Sequence, residues 1–430
     1  PNIKEEIIFS KNKININFDK EKLSVKGEGD ILFQNEKDKI SYSIDKHKEK
    51  YKFKSSISIN KNPLIIELLN YEKKGDSQII FKIDGNYSPN KKMLIKSIFF
   101  KENKNQIKLK NLFLDENFNV QKLEKVQLNF FDKDNLKNQF DIINKKNDYS
   151  FTGTSLNANK LIENLIDNKD DKKLSIFNNN FNINLKLENV YLDTKNKVRN
   201  LKGKFYIKNN EILNGELNAI FSQDKNLKFT INSNQEGKVT TLFFGNAEPI
   251  VKRYKFIKGF KGGSLDFYSL KNNNINKSKL KIYDFKLKEL PLLTKLLTLA
   301  SLQGIADVLS GEGIRFKEFE MNFENENNLM TIKEIYAIGP AISVLMEGYI
   351  EKNKIISLRG TLVPATTLNK VIGSIPFLGD ILVGSKSGEG VFGVSFKIKG
   401  HPKNPETTVN PIKTLTPRFI TRTLEKIKKN

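Results

Sequence analysis

The sequence predicts a mainly β protein, a long and repetitive antiparallel meander with few helices. Three observations carry that reading. Short runs alternate apolar and polar residues with a period of two, as in Ile14, Ile16 and Phe18. Such a period places one face of each strand on a core and the other in water. Clusters of Gly, Asn, Asp and Lys separate the runs at short intervals, as turns do. No helical segment of useful length divides the runs between Ile7 and Phe140, so neighbouring strands should pair antiparallel.

The elements follow in order. In a first section, residues 1–150, Ile40, Tyr42 and Ile44 continue the alternation. Tyr51, Phe53, Ser55, Ile57 and Ile59 repeat it, then Ile79, Phe81 and Ile83, then Ile107 and Leu109. Lys74-Gly75-Asp76 and Asp84-Gly85-Asn86 read as separators. A second section, 151–262, opens with a helix expected over Gly153–Asp167. Leu156, Leu161, Ile162, Leu165 and Ile166 share its apolar face, and Ser155 is the candidate cap. Strands then resume through Ile183, Phe205, Leu217, Phe229 and Val239. Arg253–Gly263 is basic and glycine-rich.

A third section, 263–430, alternates strands with apolar segments. Strands Leu265–Leu270 and Leu280–Leu287 precede Pro291–Gly313, read as an apolar helix that starts at a proline and ends at glycines. Lys295, Gln303 and Asp307 argue against its crossing a bilayer. Strands return at Ile314, Leu329 and Ala341. The stretch Leu358–Gly384 is Lys-poor and glycine-punctuated. It reads as a strand carrying Leu358 and Leu362, a break at Pro364, a short helix Thr367–Val371, and a second apolar run, Ile381–Val383. Gly390–Gly400 is a further strand with Phe392, Val394, Phe396 and Ile398 on one side. Thr416–Lys429 reads as a basic amphipathic helix.

Composition excludes several classes of chemistry. The chain has 430 residues, no Cys and two His, His47 and His401. That removes thiol nucleophiles, disulfides and Cys-based zinc sites, and leaves no histidine-based triad or metal cluster to expect. No cofactor is expected. No uninterrupted apolar run is long enough to span a membrane, which takes about 18 residues. The net charge of +24 favours an anionic partner. Codon bias explains much of it, because Lys, Asn, Ile and Phe all have A/T-rich codons. Arginine, the bidentate phosphate binder, occurs only at positions 199, 253, 315, 359, 418 and 422. With no Trp and no zinc or RNA-binding signature, nucleic acid is not the expected partner. Carboxylates such as Glu312, Glu318, Glu320, Asp380 and Glu389 show no acid–base spacing. LSGEG and GSKSGEG lack the length and ending of a P-loop, and no nucleophile elbow is present. No enzyme is expected.

A succession of motifs then stands out: ASLQGIADVLSGEGIRF, GPAISVLMEGYI, LRGTLVPATTLN, GSIPFLGDIL, GEGVFGVSFKIKGHPKNPETTVNPI and TPRFI. In this order they resemble the C-terminal region of the AsmA-like envelope proteins, the YhdP-like branch in particular. The match covers about 153–422 and is densest from Leu280 onward. Pro364, Leu368, Asn369, Gly373, Pro376, Gly379, Gly390, Gly400, Pro405, Val409, Asn410 and Pro411 fit the family pattern. Two departures are clear: the arginines of relatives are mostly Lys, and the family's N-terminal membrane helix has no counterpart in the sequence. The resemblance implies an elongated, curved β-sheet trough with an apolar lining. It also implies a periplasmic protein of a Gram-negative envelope, held to the inner membrane by an anchor upstream of Pro1. Members are thought to carry phospholipid between the inner and outer membranes.

Physical chemistry accommodates that expectation. A meander with one continuous apolar face must cover it with a second sheet, with helices or with lipid tails. Burying one methylene is worth about 0.8 kcal/mol, so releasing a chain of about 16 carbons into water would cost over 10 kcal/mol. A row of similar strands lets such a chain move between equivalent contacts. Phe53, Phe81, Phe229, Leu358, Leu362, Phe392, Val394 and Phe396 are the candidate groove residues, and Phe53, Phe81, Phe229 and Phe396 should share one apolar face. Leu293, Leu296, Leu297, Ile375, Phe377 and Leu378 are candidates for a cap on the groove or for docking on a membrane, with the outer membrane as the expected contact. A periplasmic assembly factor for outer-membrane proteins, or a membrane tether, is the other reading open at this stage.

Overall fold

The computed structural model describes residues 8–412 other than 33–35, 74, 90–92, 168–179, 210, 222–224, 254–258, 289–312, 365–392 and 403. The described chain is mainly β and divides into two compact units, 1–224 and 225–430.

The first unit contains β1 (Ile8–Asp19), β2 (Lys22–Leu32), β3 (Lys37–His47), β4 (Lys50–Ile59), β5 (Ile65–Ile66), β6 (Tyr71–Glu72) and β7 (Ile79–Tyr87). It continues with β8 (Met93–Glu102), β9 (Asn105–Leu114), β10 (Val120–Phe131), β11 (Lys137–Lys145) and β12 (Asp148–Asn157). After helix α1 (Asn159–Asp167) come β13 (Phe181–Tyr191), β14 (Lys197–Lys208) and β15 (Glu211–Phe221). The second unit contains β16 (Asn226–Asn234), β17 (Gly237–Phe244), α2 (Glu248–Val251), β18 (Lys261–Asn272), β19 (Ile275–Leu287) and β20 (Ile314–Glu326). It ends with β21 (Leu329–Ile338), β22 (Ile342–Glu351), β23 (Ile355–Pro364), β24 (Gly393–His401) and β25 (Asn404–Ile412).

Within each unit the strands pair with their sequence neighbours, as a meander requires. β5 and β6 form a separate two-stranded ribbon, so β4 pairs with β7. Asparagine makes the turns tight. Of the sixteen non-glycine residues described with positive φ, ten are Asn, and several sit at two-residue hairpin loops, such as Asn273 and Asn327. Asn tolerates the left-handed region better than most residues do. The Asn-rich composition therefore has a structural use whatever its origin.

Two expectations are corrected. The sheet is mixed, because β12 and β13 run parallel, with Phe151 opposite Leu185. A parallel pair needs a crossover, and α1 lies in it. Second, the helix starts later than expected. Gly153 and Ser155 are still in β12, opposite Phe140 and Gln139, and Ser155 caps nothing. The Asn157 side-chain oxygen instead accepts the Asn159 backbone N–H at 3.0 Å, just ahead of the helix. The two described helices are α1, inside the segment expected to be helical at 153–167, and the short α2 (Glu248–Val251). The apolar segments expected to be helical at 291–313 and 367–371 fall almost wholly outside the described residues, and the basic helix expected at 416–429 falls wholly outside them.

In the second unit the strand directions sort the connections. The segments 245–260, 288–313, 339–341 and 365–392 all join strands at one end of the sheet, and β25 finishes at that same end. The other end carries only short turns around Gln235, Asn273, Asn327, Asn353 and Pro402.

Candidate functional site

Register decides which side chains share a face. In the first unit, Ile40, Ile57, Phe81, Phe100, Ile107, Leu128 and Phe140 lie directly opposite one another from β3 to β11. Phe53 is four residues from Ile57 on the same strand, so it shares the face with Phe81. In the second unit one row runs Phe229, Leu242, Phe267, Leu280, Met321, Ile335, Met346, Gly360, Phe396 and Val409. Phe229 and Phe396 thus occupy one register row of ten strands. A parallel row includes Leu227, Phe244, Leu265, Ile282, Leu362 and Val394, on the same face. Leu358 lies on it too, opposite Ile398.

The candidates differ in access. Phe53, Phe81 and Phe229 are half-buried. Leu358, Leu362, Val394 and Phe396 are buried, with Phe396 only 3 % exposed. Phe392, Leu293, Leu296, Leu297, Ile375, Phe377 and Leu378 lie outside the described residues.

Two of the phenylalanines have a specific seat. The Phe53 ring lies over Gly85 of the next strand, and a Cβ added there would sit 2.6 Å from the Phe53 Cζ. The Phe396 ring lies over Gly360 with the same 2.6 Å spacing. Tyr42 over Gly27 and Phe205 over Gly215 repeat the arrangement. In each case the absent side chain on one strand makes room for a ring on its registered neighbour, a cross-strand pair that helps pin the register.

In the first unit the opposite face is polar and carries Lys82, Lys101, Lys108, Lys186 and Lys202, all exposed. Three of its phenylalanines are covered by lysines. The ammonium groups of Lys108, Lys122 and Lys137 sit 5.9, 5.7 and 5.5 Å from the ring centroids of Phe99, Phe113 and Phe131. Each pair is directly opposed in register, a cation–π geometry that also covers the ring with the lysine stem.

The apolar face of the first unit is covered at one end by the segment between β4 and β7. Tyr71, 1 % exposed, meets Phe100 edge-on at 5.2 Å between centroids and Phe130 at 6.2 Å. Its hydroxyl donates to Glu102 Oε2 at 2.7 Å, and Asn105 Nδ2 donates to the same oxygen at 2.9 Å. Ser77 also donates to the Glu102 carboxylate. The Lys133 backbone N–H donates to the Asn70 carbonyl at 2.9 Å, and Asn70 Nδ2 to Asp134 at 2.8 Å. Nearby, Asn62 Nδ2 donates to Asp38 at 2.6 Å. Burial, and then the Glu102 carboxylate beside it, push the Tyr71 phenol above the ordinary tyrosine range. Sequence reasoning passed over this cover. Tyr71 falls in a stretch without alternation, and nothing local marks it as a residue that meets both β8 and β10.

The other end of that face is open. Ile16 and Phe18 on β1 are 65 % and 73 % exposed, and Ile44 and Tyr87 are exposed as well. Phe18, Leu23, Lys46, Tyr51 and Tyr87 form its outermost row. Among the described residues no cluster of His, Asp and Glu is placed to hold a metal ion, and no helix is long and apolar enough to cross a membrane. Comparison of the chain with protein-family models, with curated proteins and with solved structures finds no match.

Proposed function

We propose that the protein is a non-enzymatic bridge for phospholipid between the inner and outer membranes of a Gram-negative envelope. Its strands would form a curved trough that shelters acyl chains. The observation that carries this reading is the register: apolar side chains stay in line from strand to strand, over ten strands in the second unit alone. A hydrocarbon chain moving along such a row exchanges each contact for an equivalent one, so no single site need bind tightly. In the first unit part of that face is open to solvent, which a closed core would not leave.

The partners follow from the same reading: phospholipid, an inner-membrane anchor upstream of Pro1, and the outer membrane at the C-terminal end, with the working location in the periplasm. The long connections of the second unit support a docking end. All of them leave one end of the sheet, and they carry Leu293, Leu296, Leu297, Ile375, Phe377 and Leu378.

Lipid extraction and mass spectrometry of the purified chain test the proposal. Co-purified phospholipid, with photo-crosslinks at Phe53 and Phe229 and none at Lys108 or Lys186, is the expected result. Retained polypeptide without lipid would overturn it and favour an assembly factor that takes client strands by edge addition. The edge of β1 favours that second reading, because among the described residues β1 pairs only with β2 and it carries exposed Ile14, Ile16 and Phe18.

A further inference from the structure

We infer that the first unit holds acyl chains along the strand direction, with the terminal methyls at the Tyr71 end and the phosphate at the Lys46 end. The inference rests on the lipid-bridge reading and adds an orientation to it. Two features close the Tyr71 end. The cover itself occupies the face, with Tyr71 seated between Phe100 and Phe130. Beneath it the apolar rows give way to a seam of buried polar groups. Asp38, Glu102, Asn105 and Asn138 all lie on this face near the turns, and Asp132 lies just past it. A hydrocarbon chain cannot replace the hydrogen bonds that these groups make to the cover and to one another, so the seam is where apolar contact must stop.

The opposite end suits a head group. Lys46 lies on the apolar face in its outermost row, its ammonium 5.5 Å from the Tyr51 ring centroid. Lys20, Lys22, Lys48 and Lys50 crowd the adjoining turns, against Asp19, Glu21 and Glu49. The lip is therefore net basic and complements a phosphate. The length also fits. From Phe81, beside the cover, to Tyr87 at the lip is six residues, or about 20 Å at 3.3 Å per residue. One leaflet of hydrocarbon is about 15 Å deep, half the bilayer core.

The test uses the full chain and two phosphatidylglycerol probes in vesicles. One carries a photoreactive diazirine near the terminal methyl of an acyl chain, the other near the glycerol. After illumination the crosslinked peptides are mapped by mass spectrometry. The methyl-end probe is expected to label Ile57, Phe81 and Ile83, and the glycerol-end probe Phe18, Ile44, Tyr51 and Tyr87. The K46E variant should cut glycerol-end labelling several-fold with phosphatidylglycerol, and by less with the matching phosphatidylcholine probe, whose choline offsets the same phosphate. Equal labelling by both probes, or the reverse order, overturns the orientation. Labelling confined to 225–430 overturns the inference and leaves the lipid reading standing. Labelling nowhere overturns both.

Discussion

Removing one oxygen atom tests whether the cover over the first unit is held as the geometry requires. In the Y71F variant the ring keeps its edge contacts with Phe100 and Phe130, but Glu102 loses the donor at 2.7 Å. The Glu102 carboxylate is only 1 % exposed, so water does not readily take the place of that hydroxyl. Asn105 and Ser77 still donate to it. A hydrogen bond to a charged acceptor contributes about 1.5–3 kcal/mol, and about 2 kcal/mol is the expected loss. At about 2–4 °C per kcal/mol for a unit of this size, the melting midpoint of the first unit should fall by about 4–8 °C. Hydrogen exchange gives the sharper assay. Backbone amides of Asn70 and Lys73, which donate to Glu67 and Leu64 within the cover, should exchange faster. Amides of β13 and β14 should change little, since they lie outside the cover's contacts. The Y71A variant adds loss of the ring and should cost about 3–5 kcal/mol. A Y71F protein within about 0.5 kcal/mol of the parent, with unchanged exchange at Asn70 and Lys73, would refute the argument, since that is the range of an inconsequential surface change.

The glycine seats and the titrating groups give further tests. In G85A the new Cβ would lie 2.5 Å from the Leu94 carbonyl oxygen and 2.6 Å from Phe53, and G360A repeats this against Leu345 and Phe396. Each should destabilise by about 1–3 kcal/mol in urea titration, and a neutral G85A would mean that the Phe53 ring is not seated there. At alkaline pH, burial raises the phenols of Tyr71 and Tyr149 above their unfolded value. Their contribution is then fully present below about pH 10 and is lost as pH rises toward the folded values, and Y71F should flatten part of that slope. At the acid end, the hydrogen bond from Lys39 holds the Asp30 carboxyl below the usual range. Its contribution is present above about pH 3.9 and is lost as pH falls through the depressed value, and K39M should raise the Asp30 titration, followed by NMR.

Much of the strand pattern was legible because period-two alternation and turn chemistry are local signals. Phe53, Phe81, Phe229 and Phe396 could be placed on strands from four or five neighbouring residues each. The parallel pair of β12 and β13 was not legible, because it depends on how residues 158–180 cross back, and composition does not encode the path of a crossover. Ser155 was misread as a cap because a hydroxyl before an apolar run looks the same at a helix start and at a strand end. Only its pairing with Gln139 separates the two. The cover was invisible for a related reason. Tyr71 gains its meaning from Glu102, Phe100 and Phe130, which are 29 to 59 residues away in sequence.

The aromatic residues show why register, and not periodicity, assigns a surface. Phe99 and Phe100 are consecutive, so they point to opposite faces of β8. Phe100 sits under Tyr71 on the apolar face. Phe99 lies on the polar face, where the registered Lys108 lies over its ring. Phe113 and Phe131 are served in the same way by Lys122 and Lys137. A count of aromatic residues along the strands would have assigned all of them to the groove. The lysines that give the chain its charge therefore have at least two structural roles on the sheet: covering apolar rings on the wet face and, at Lys46, standing at the rim of the apolar one. Neither role needs the guanidinium fork, which fits a chain that uses Lys almost to the exclusion of Arg.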